Sequence, residues 1–264
     1  MDANTLAIHR QGVDFLVNST PYFQEFWDGI QSWEIETFQI FNRFLNNKYS
    51  YLDIGAWIGP TVLYGAHKAK NVFAIEPDPV AYQELIKNIQ LNPRISSKVT
   101  CINAAIVDRP GHIKLYKRDE LGDSMSSILP TRTDEDYFEV IATSIEELTL
   151  NYNLKDLNFI KMDIEAGEYF LIPALKEFLK KNRPTLYLSL HPPFLHEALN
   201  LRLSKNTNSK MDANSPDIVS LTENLVNNLD FYKFIYDPQG NLVNKDTILN
   251  LKNLGMFLFT DEQW

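Results

Sequence analysis

One cysteine, Cys101, is all that 264 residues contain, so no intramolecular disulfide and no paired-cysteine zinc site can form. No run approaches the roughly 18 consecutive apolar residues that an ordinary spanning helix requires. The first residues, MDANTLAIHRQGVDFLV, lack a basic stretch followed by a long apolar core, so no signal peptide is expected. Basic residues are also short: 25 Lys and Arg stand against 34 Asp and Glu, a net charge of −9. That balance weighs against a general nucleic-acid binder, which needs positive surface for phosphates. Together these absences lead us to expect a reduced, soluble, cytoplasmic protein. What is present is ordinary globular material, 44% hydrophobic and 22% charged, enough for one α/β domain with an appendage.

From Tyr49 onward, short β-branched or aromatic runs alternate with helical patterns. YSYLDI, NVFAIEP, KVTCIN, NFIKMDI and PTLYLSL read as strands. GPTVLYGAHKAK reads as a helix with Pro60 in its first turn, and DPVAYQELIKNIQLN as a second with Tyr82, Leu85, Ile86 and Ile89 on one face. EYFLIPALKEFLKK reads as a helix disturbed at Pro173, and FYKFIYD and GMFLFT as a final strand pair. GHIKLYK and FEVIATS are additional strands around a Ser-rich loop, GDSMSSIL. This alternation predicts a parallel sheet with helices on both faces over residues 49–264. Residues 1–48 are aromatic-rich and are predicted to form a helical cap, while 195–216 turn rich in Asn, Ser and Lys and are predicted to hold a mobile loop or lid.

Ligands of such sheets sit beyond the carboxyl ends of the strands, near the topological switch point. The residues at those ends are Asp53, Glu76, Asn103, Asp163 and His191. In LDIGAWIGP, Gly55 and Gly59 allow close backbone approach ahead of a helix N-terminus. A dinucleotide loop would carry three glycines, and here Ala56-Trp57 fills the space a pyrophosphate needs. Glu76 follows about twenty residues on, where a carboxylate can accept both hydroxyls of a ribose. Asp53 adds negative charge suited to an ammonium or sulfonium. A ribose-containing ligand without pyrophosphate fits the set, and S-adenosylmethionine (SAM) matches that description. Each feature also has a plain reading: a ligand-free turn, and a helix-start acid favoured by the dipole.

Four stretches, YLDIGAWIG, VFAIEPDPVAYQELIKNIQLN, CINAAIVDRPGHIKLY and NFIKMDIEAGEYFLIPAL, resemble the FkbM-type class I methyltransferases. The resemblance runs from about Gly29 to Leu190. MDIEAGE is similar to the family's D-x-E-G-x-E signature, with Ala166-Gly167 standing where Gly-Ala is usual. SIEELTL and GDSMSSIL are similar to its lead-in segment and Ser-rich loop. The resemblance implies a Rossmann-like α/β fold with a seven-stranded, mostly parallel sheet and an N-terminal helical cap. It further implies SAM held by Asp53, Gly55, Ala56 and Gly59, with Glu76 and its neighbours Pro77 and Asp78 at the ribose. Asn103 and Ala104 would lie near the adenine, Asp163 near the methionine end, and Trp33 with Glu34 would close over the cofactor.

Asp163, Glu165 and Glu168 place three carboxylates within one short stretch at a strand end. Such crowding can raise a carboxyl pKa toward general-base range or bind a divalent cation; solvated acids at a helix start are the alternative. A metal is therefore open but not predicted. His191 ends the next strand, where an unperturbed imidazole could take a hydroxyl proton. The family often carries a Glu two residues earlier, and this chain has Ser189. HPPF is similar to the Pro-Pro-aromatic motif of enzymes that methylate base amines, but its first residue is His and it falls one strand too late. The expectation is a SAM-dependent O-methyltransferase acting on a sugar, glycan or secondary-metabolite hydroxyl. Asp163, His191 and Glu165 are its catalytic candidates, and no nucleic-acid partner is expected. An inactive SAM-binding module and an N-methyltransferase are the alternatives, and the oligomeric state stays open, a homodimer included.

Overall fold

The computed structural model describes residues 5–206 and 216–264. The chain opens with a hairpin, β1 (Thr5–Arg10) and β2 (Val13–Asn18), then α1 (Gln24–Gly29) and α2 (Ile35–Phe44). Next come β3 (Ser50–Ile54), α3 (Pro60–Lys68), β4 (Val72–Ile75), α4 (Pro79–Gln90), α5 (Pro93–Ser96) and β5 (Val99–Ile102). β6 (Ala105–Ile106), β7 (Gly111–Tyr116) and β8 (Tyr137–Thr143) form a separate three-stranded sheet. The remainder is α6 (Ile145–Asn151), β9 (Leu157–Met162), α7 (Glu168–Asn182), β10 (Thr185–Leu190), α8 (Pro192–Asn206), α9 (Pro216–Asn227), β11 (Phe234–Tyr236), α10 (Lys245–Leu249) and β12 (Gly255–Thr260).

Seven strands make the main sheet in the order β11-β12-β10-β9-β3-β4-β5. The neighbours from β10 to β5 run parallel, and β12 is antiparallel to both β10 and β11. The chain leaves β3 toward β4 and β5, then returns to β9 on the other side of β3. The switch point therefore lies between β3 and β9.

Alternation along the strands divides the core in two. Leu52, Ile54, Phe73, Ile75, Ile160, Met162, Leu186 and Leu188 face α6, α7 and α9. Tyr51, Val72, Ala74, Phe159 and Tyr187 face α2, α3 and α4. The same alternation assigns the charged strand residues. Asp53 lies two residues after Tyr51, Lys161 two after Phe159 and Ser189 two after Tyr187, so all three share the α2 face at the carboxyl ends.

Two expectations are corrected. The predicted helical cap over 1–48 begins instead with a hairpin: Val13, Phe15 and Val17 are buried at every second residue, and Gln11-Gly12 form a two-residue turn with φ of 43° and 81°. The predicted loop over 195–216 is helical through residue 206, within α8, and residues 207–215 lie outside the described residues. The helix read around Pro173 is α7, which runs from Glu168 to Asn182 with the proline inside it. Among the described residues no helix is long and apolar enough to cross a membrane.

Gly55 is what allows β3 and β9 to close at their ends. It has φ of +87°, and a Cβ there would stand 1.9 Å from the Asp163 carbonyl oxygen. Both the conformation and the backbone contact oppose any side chain. Gly12 has a similar φ of +81° but nothing within 4 Å. Gly55→Ala should therefore cost about 2–4 kcal/mol in chemical denaturation, against about 1 kcal/mol for Gly12→Ala. Equal losses in the two variants would refute the close-approach argument.

Candidate active site

Two adjoining cavities open at the switch point. The first is a narrow slot of about 50 Å³ lined by Gly55, Glu76, Pro77, Ala104, Ile106 and Asp163, among others. The second holds about 320 Å³, with Glu34, Ala56, Thr61, Lys161, Ser189 and His191 in its walls. Gly55, Trp57, Ser124, Asp163 and Glu165 border both.

Glu76 reaches the slot from the end of β4 and is 6% exposed. It accepts N–H bonds from Trp57 (2.7 Å) and Asp78 (2.7 Å). Burial pushes its carboxyl up to about 8 in spite of those two bonds. Trp57, left unassigned by the sequence, has φ of 48°, and its indole donates to the Gly122 carbonyl at 2.8 Å. Its ring meets those of Phe23 and Phe26 edge-on. The Ser-rich loop thereby becomes a wall of both cavities.

Beneath the larger cavity lies a buried charge network. Asp53 and Lys161 are register partners on β3 and β9, 0% and 3% exposed. Tyr51 and Thr61 each donate a hydroxyl to Asp53 Oδ2 at 2.6 Å. Lys161 Nζ lies 3.1 Å from Asp163 Oδ2. Burial works to lower the lysine pKa, but Asp163, Asp53 and Glu34 more than reverse it and hold the ammonium above its ordinary range. Glu34 sits at φ 40° before α2 and accepts from Thr37 at 2.9 Å. Arg10 fixes this corner by donating to the carbonyls of Ile30 and Trp33, with its guanidinium 4.3 Å from the centre of the Phe38 ring. Burial raises Glu34 to about 7, partly opposed by Lys161.

The catalytic candidates come together around His191. Its Nδ1 lies 3.0 Å from Glu168 Oε1, which also accepts from the Ile164 N–H at 2.9 Å. Its Nε2 lies 3.4 Å from Asp163 Oδ1 and 3.3 Å from Glu165 Oε2. Burial lowers the imidazole pKa, and Glu168, Asp163 and Glu165 outweigh it, raising the group to about 10. In the ligand-free chain these carboxylates bias His191 toward its protonated form, unlike the unperturbed side chain that the sequence suggests. Burial raises Glu165 to about 8, opposed by His191; Asp163, where burial also acts upward, is held below the ordinary range by Lys161 and His191. The solvated-acid alternative fails, since the Asp163, Glu165 and Glu168 side chains are 19%, 13% and 0% exposed. β9 stops at Met162, so the carboxylates are arranged by a turn in which Glu165 and Ala166 take φ of 53° and 74°. The displaced glycine matters here: the alanine occupies the left-handed position, and Gly167 is helical.

Gly55, Ala56, Glu76, Pro77, Ala104, Asp163, Glu165, His191 and Glu34 thus line the cavities. Four expected cofactor residues do not. Asp53 lies one layer behind, occupied by Tyr51 and Thr61. Gly59, with φ of +92°, makes room for Leu85, which a Cβ would meet at 2.5 Å. Asp78 caps α4 through the N–H groups of Val80 and Ala81 and accepts from Gly122 N. Asn103 donates to the carbonyls of Glu76 and Pro77 at 2.8 and 3.2 Å. Lys161, Ser124 and Ser126 were missed; a lysine inside the apolar run NFIKMDI was the available signal for the first.

Two measurements follow from these charges. Lys161→Met leaves Asp53 and Asp163 without their buried counter-charge and should destabilise by about 3–5 kcal/mol, more at pH 8 than at pH 5, where carboxylates can take up protons; an equal loss at both pH values would count against it. Glu34 and Glu76 hold protons in the folded chain that the unfolded chain releases near pH 4.5. Their contribution to stability is therefore full below pH 4.5 and declines as pH rises toward 7 and 8. Thermal denaturation of the ligand-free protein should show its midpoint falling across that window.

Residues 53–211, more than half of the chain, match the family model of the methyltransferase FkbM domain. No curated protein matches. Among solved structures, a methyltransferase FkbM from Methylobacillus flagellatus KT is 15% identical with a TM-score of 0.44, covering 81% of this chain and 44% of its own. This chain thus spans less than half the length of that relative. M. jannaschii TYW2 in complex with AdoMet is 15% identical with a TM-score of 0.43, covering 97% and 84%. The precorrin-6y C5,15-methyltransferase from Geobacter metallireducens GS-15 is 12% identical with a TM-score of 0.43, covering 87% and 88%. By its family match over residues 53–211, the chain belongs to the methyltransferase FkbM domain family.

Proposed function

We propose that this chain methylates a hydroxyl of a sugar, glycan or secondary metabolite, with the slot as cofactor site and the larger cavity as acceptor site. The observation that carries this reading is the shared wall. Asp163 and Glu165, backed by His191, stand where the slot holding Glu76 meets a larger cavity. Bound SAM supplies an electrophilic methyl group on a sulfonium. The residues present fit it in two respects. The slot joins one buried carboxylate to apolar walls, Ile75, Ala104, Ile106 and Leu115, as an adenosine requires. Beyond it, five carboxyl groups, Glu34, Asp53, Asp163, Glu165 and Glu168, face two basic groups, Lys161 and His191, and an entering cationic group would favour the ionised form of those whose pKa burial raises.

In this reading Glu76 accepts ribose hydroxyls through the lone pairs that Trp57 and Asp78 leave free. The narrowness of the slot means that the Ser124–Ser126 wall moves outward as adenosine enters. Pro77 and Ala104 flank the base, and the Gly55–Trp57 backbone borders the methionine end. Asp53, Gly59, Asp78 and Asn103 act from behind, holding the strands, the α4 N-terminus and the loop that form the walls. Alignment of the acceptor is the main task, because methyl transfer is an in-line displacement. The hydroxyl proton is received by the Asp163–Glu165 carboxylates, which His191 orients.

Calorimetry with S-adenosylhomocysteine should show one site per chain that Glu76→Ala weakens at least tenfold; an absence of binding by the wild type would sink the cofactor assignment. A screen of glycans, lipids, small alcohols and amines with methyl-labelled SAM tests the acceptor. Label on a hydroxyl, reduced about 10²–10⁴-fold in Glu165→Gln, is expected. Label only on amines would make the chain an N-methyltransferase, and binding with no labelled acceptor an inactive module.

A further inference from the structure

The distances around His191 do not describe an ordinary ion pair. Charge-assisted N–H···O bonds run about 2.7–2.9 Å. Nε2 instead stands 3.4 Å from Asp163 Oδ1 and 3.3 Å from Glu165 Oε2. Glu165 Oε2 is a buried atom with no hydrogen-bond partner. One ligand atom from each of Asp163, Glu165 and His191 lies within 4.8 Å of the other two. With metal–ligand bonds of about 2.1 Å, the edge of a tetrahedron is roughly 3.4 Å. The two nitrogen–oxygen separations have that length.

The other side of the imidazole is arranged in the same sense. Metal-bound histidines almost always give their second ring nitrogen to a carboxylate or carbonyl, which fixes the ring and its tautomer. Glu168, with its side chain 0% exposed, holds Nδ1 at 3.0 Å and is itself held by the Ile164 N–H. Nε2 is thereby aimed at the two carboxylate oxygens. Phe194 stacks on the imidazole, with ring centres 5.7 Å apart. All three ligand residues border the larger cavity, which gives an ion an entry path and leaves coordination positions open.

We propose that Asp163, Glu165 and His191 form a binding site for a divalent transition cation, Zn²⁺ or Mn²⁺, with Glu168 as the orienting partner of the histidine. One imidazole and two carboxylates suit these ions better than Mg²⁺ or Ca²⁺, which favour all-oxygen shells. The surplus of carboxylates over Lys161 supplies the charge such an ion neutralises. The binding claim stands apart from the methyl-transfer reading; only the role of the ion rests on it. In that role the open positions face the acceptor cavity, where an ion acidifies a coordinated hydroxyl. The proton that the coordinated hydroxyl gives up passes to Glu165 Oε1, the carboxylate oxygen that the ion does not hold.

The test uses the full, untagged chain, stripped with EDTA and dialysed, in the absence of SAM. Titration with Zn²⁺ and separately Mn²⁺ should give one site per chain, with Mg²⁺ binding at least tenfold more weakly than the tighter of the two. His191→Ala and Glu165→Gln should each lower affinity for that cation at least tenfold, and Glu168→Gln about 10–100-fold. His9→Ala, which alters the exposed His9–Asp14 pair, should change nothing. Far-UV circular dichroism and S-adenosylhomocysteine affinity report whether each variant is folded. Should a variant fail to fold, Mn²⁺ paramagnetic quenching of tryptophan fluorescence in the wild type, relieved by EDTA, reads the same site through Trp57 and Trp33, which border the cavity. No wild-type binding of either cation up to millimolar concentration would overturn the proposal, as would unchanged affinity in folded His191→Ala. S-adenosylhomocysteine binding without cation binding would fail this inference alone, and the reverse would fail the cofactor assignment.

Discussion

A single ammonium at the sheet's switch point sets the terms for the rest of the site. Lys161 is carried by β9 directly opposite Asp53 on β3, and its Nζ reaches forward to Asp163. Without it, the end of β9 would bring Asp163 beside a fully buried Asp53 with no counter-charge, at a cost of several kcal/mol. With it, the two strands close until only a glycine fits between them at Gly55. Alternation then does the positioning. The residues after Tyr51, Phe159 and Tyr187 at a spacing of two must share a face, so Asp53, Lys161 and Ser189 form one surface beneath the larger cavity.

One lysine does not balance what surrounds it. Glu34, Glu76 and Glu165 all sit in the folded chain with carboxyl groups shifted upward, and burial is the first cause in each. A protein selected for stability alone would have replaced such groups with apolar ones, because a buried carboxylate lacking a partner opposes folding. Left-handed backbone at Trp57, Glu165 and Ala166 adds strain in the same small volume. Both features are explained if the arrangement is complete only when positive charge enters it. On the proposed reading, a sulfonium near Asp163 and a cation at His191 would relieve different parts of that surplus, the first from the slot side and the second from the larger cavity.

The strand and helix order from residue 49 onward could be read from the sequence because each element carries its own period. GHIKLYK and FEVIATS were legible as strands, but nothing in them says that they leave the main sheet. The hairpin was missed although Val13, Phe15 and Val17 alternate, because the aromatic density of the following segment drew the whole N-terminus toward helix. For the site, the strand-end rule located the right neighbourhood but could not say which way a side chain turns. Glu76 points into the slot, whereas Asn103, at the equivalent end of β5, turns back to the Glu76 and Pro77 carbonyls. Gly59 was read as room for a ligand, and the room is taken by Leu85. The charge state of His191 was beyond sequence reasoning altogether. It depends on three carboxylates, of which Glu168 contributes most, brought to the ring by a turn after β9 that periodicity does not encode.

Trp57 shows how the two cavities are joined mechanically. Its backbone N–H binds Glu76 in the slot, its indole binds the Gly122 carbonyl, and its ring packs against Phe23 and Phe26 of the N-terminal segment. The same loop is tied back by Asp78 through Gly122 N and by Ser127, whose hydroxyl donates to the Glu165 carbonyl at 2.6 Å. A displacement of the 122–127 segment therefore strains Glu76 through Trp57 and Glu165 through Ser127 together. In a chain with only two glycines in its first turn, a tryptophan there looked like an obstacle to a ligand. Its hydrogen bonds make it the shared wall, so that a change in the slot and a change in the larger cavity are one structural event.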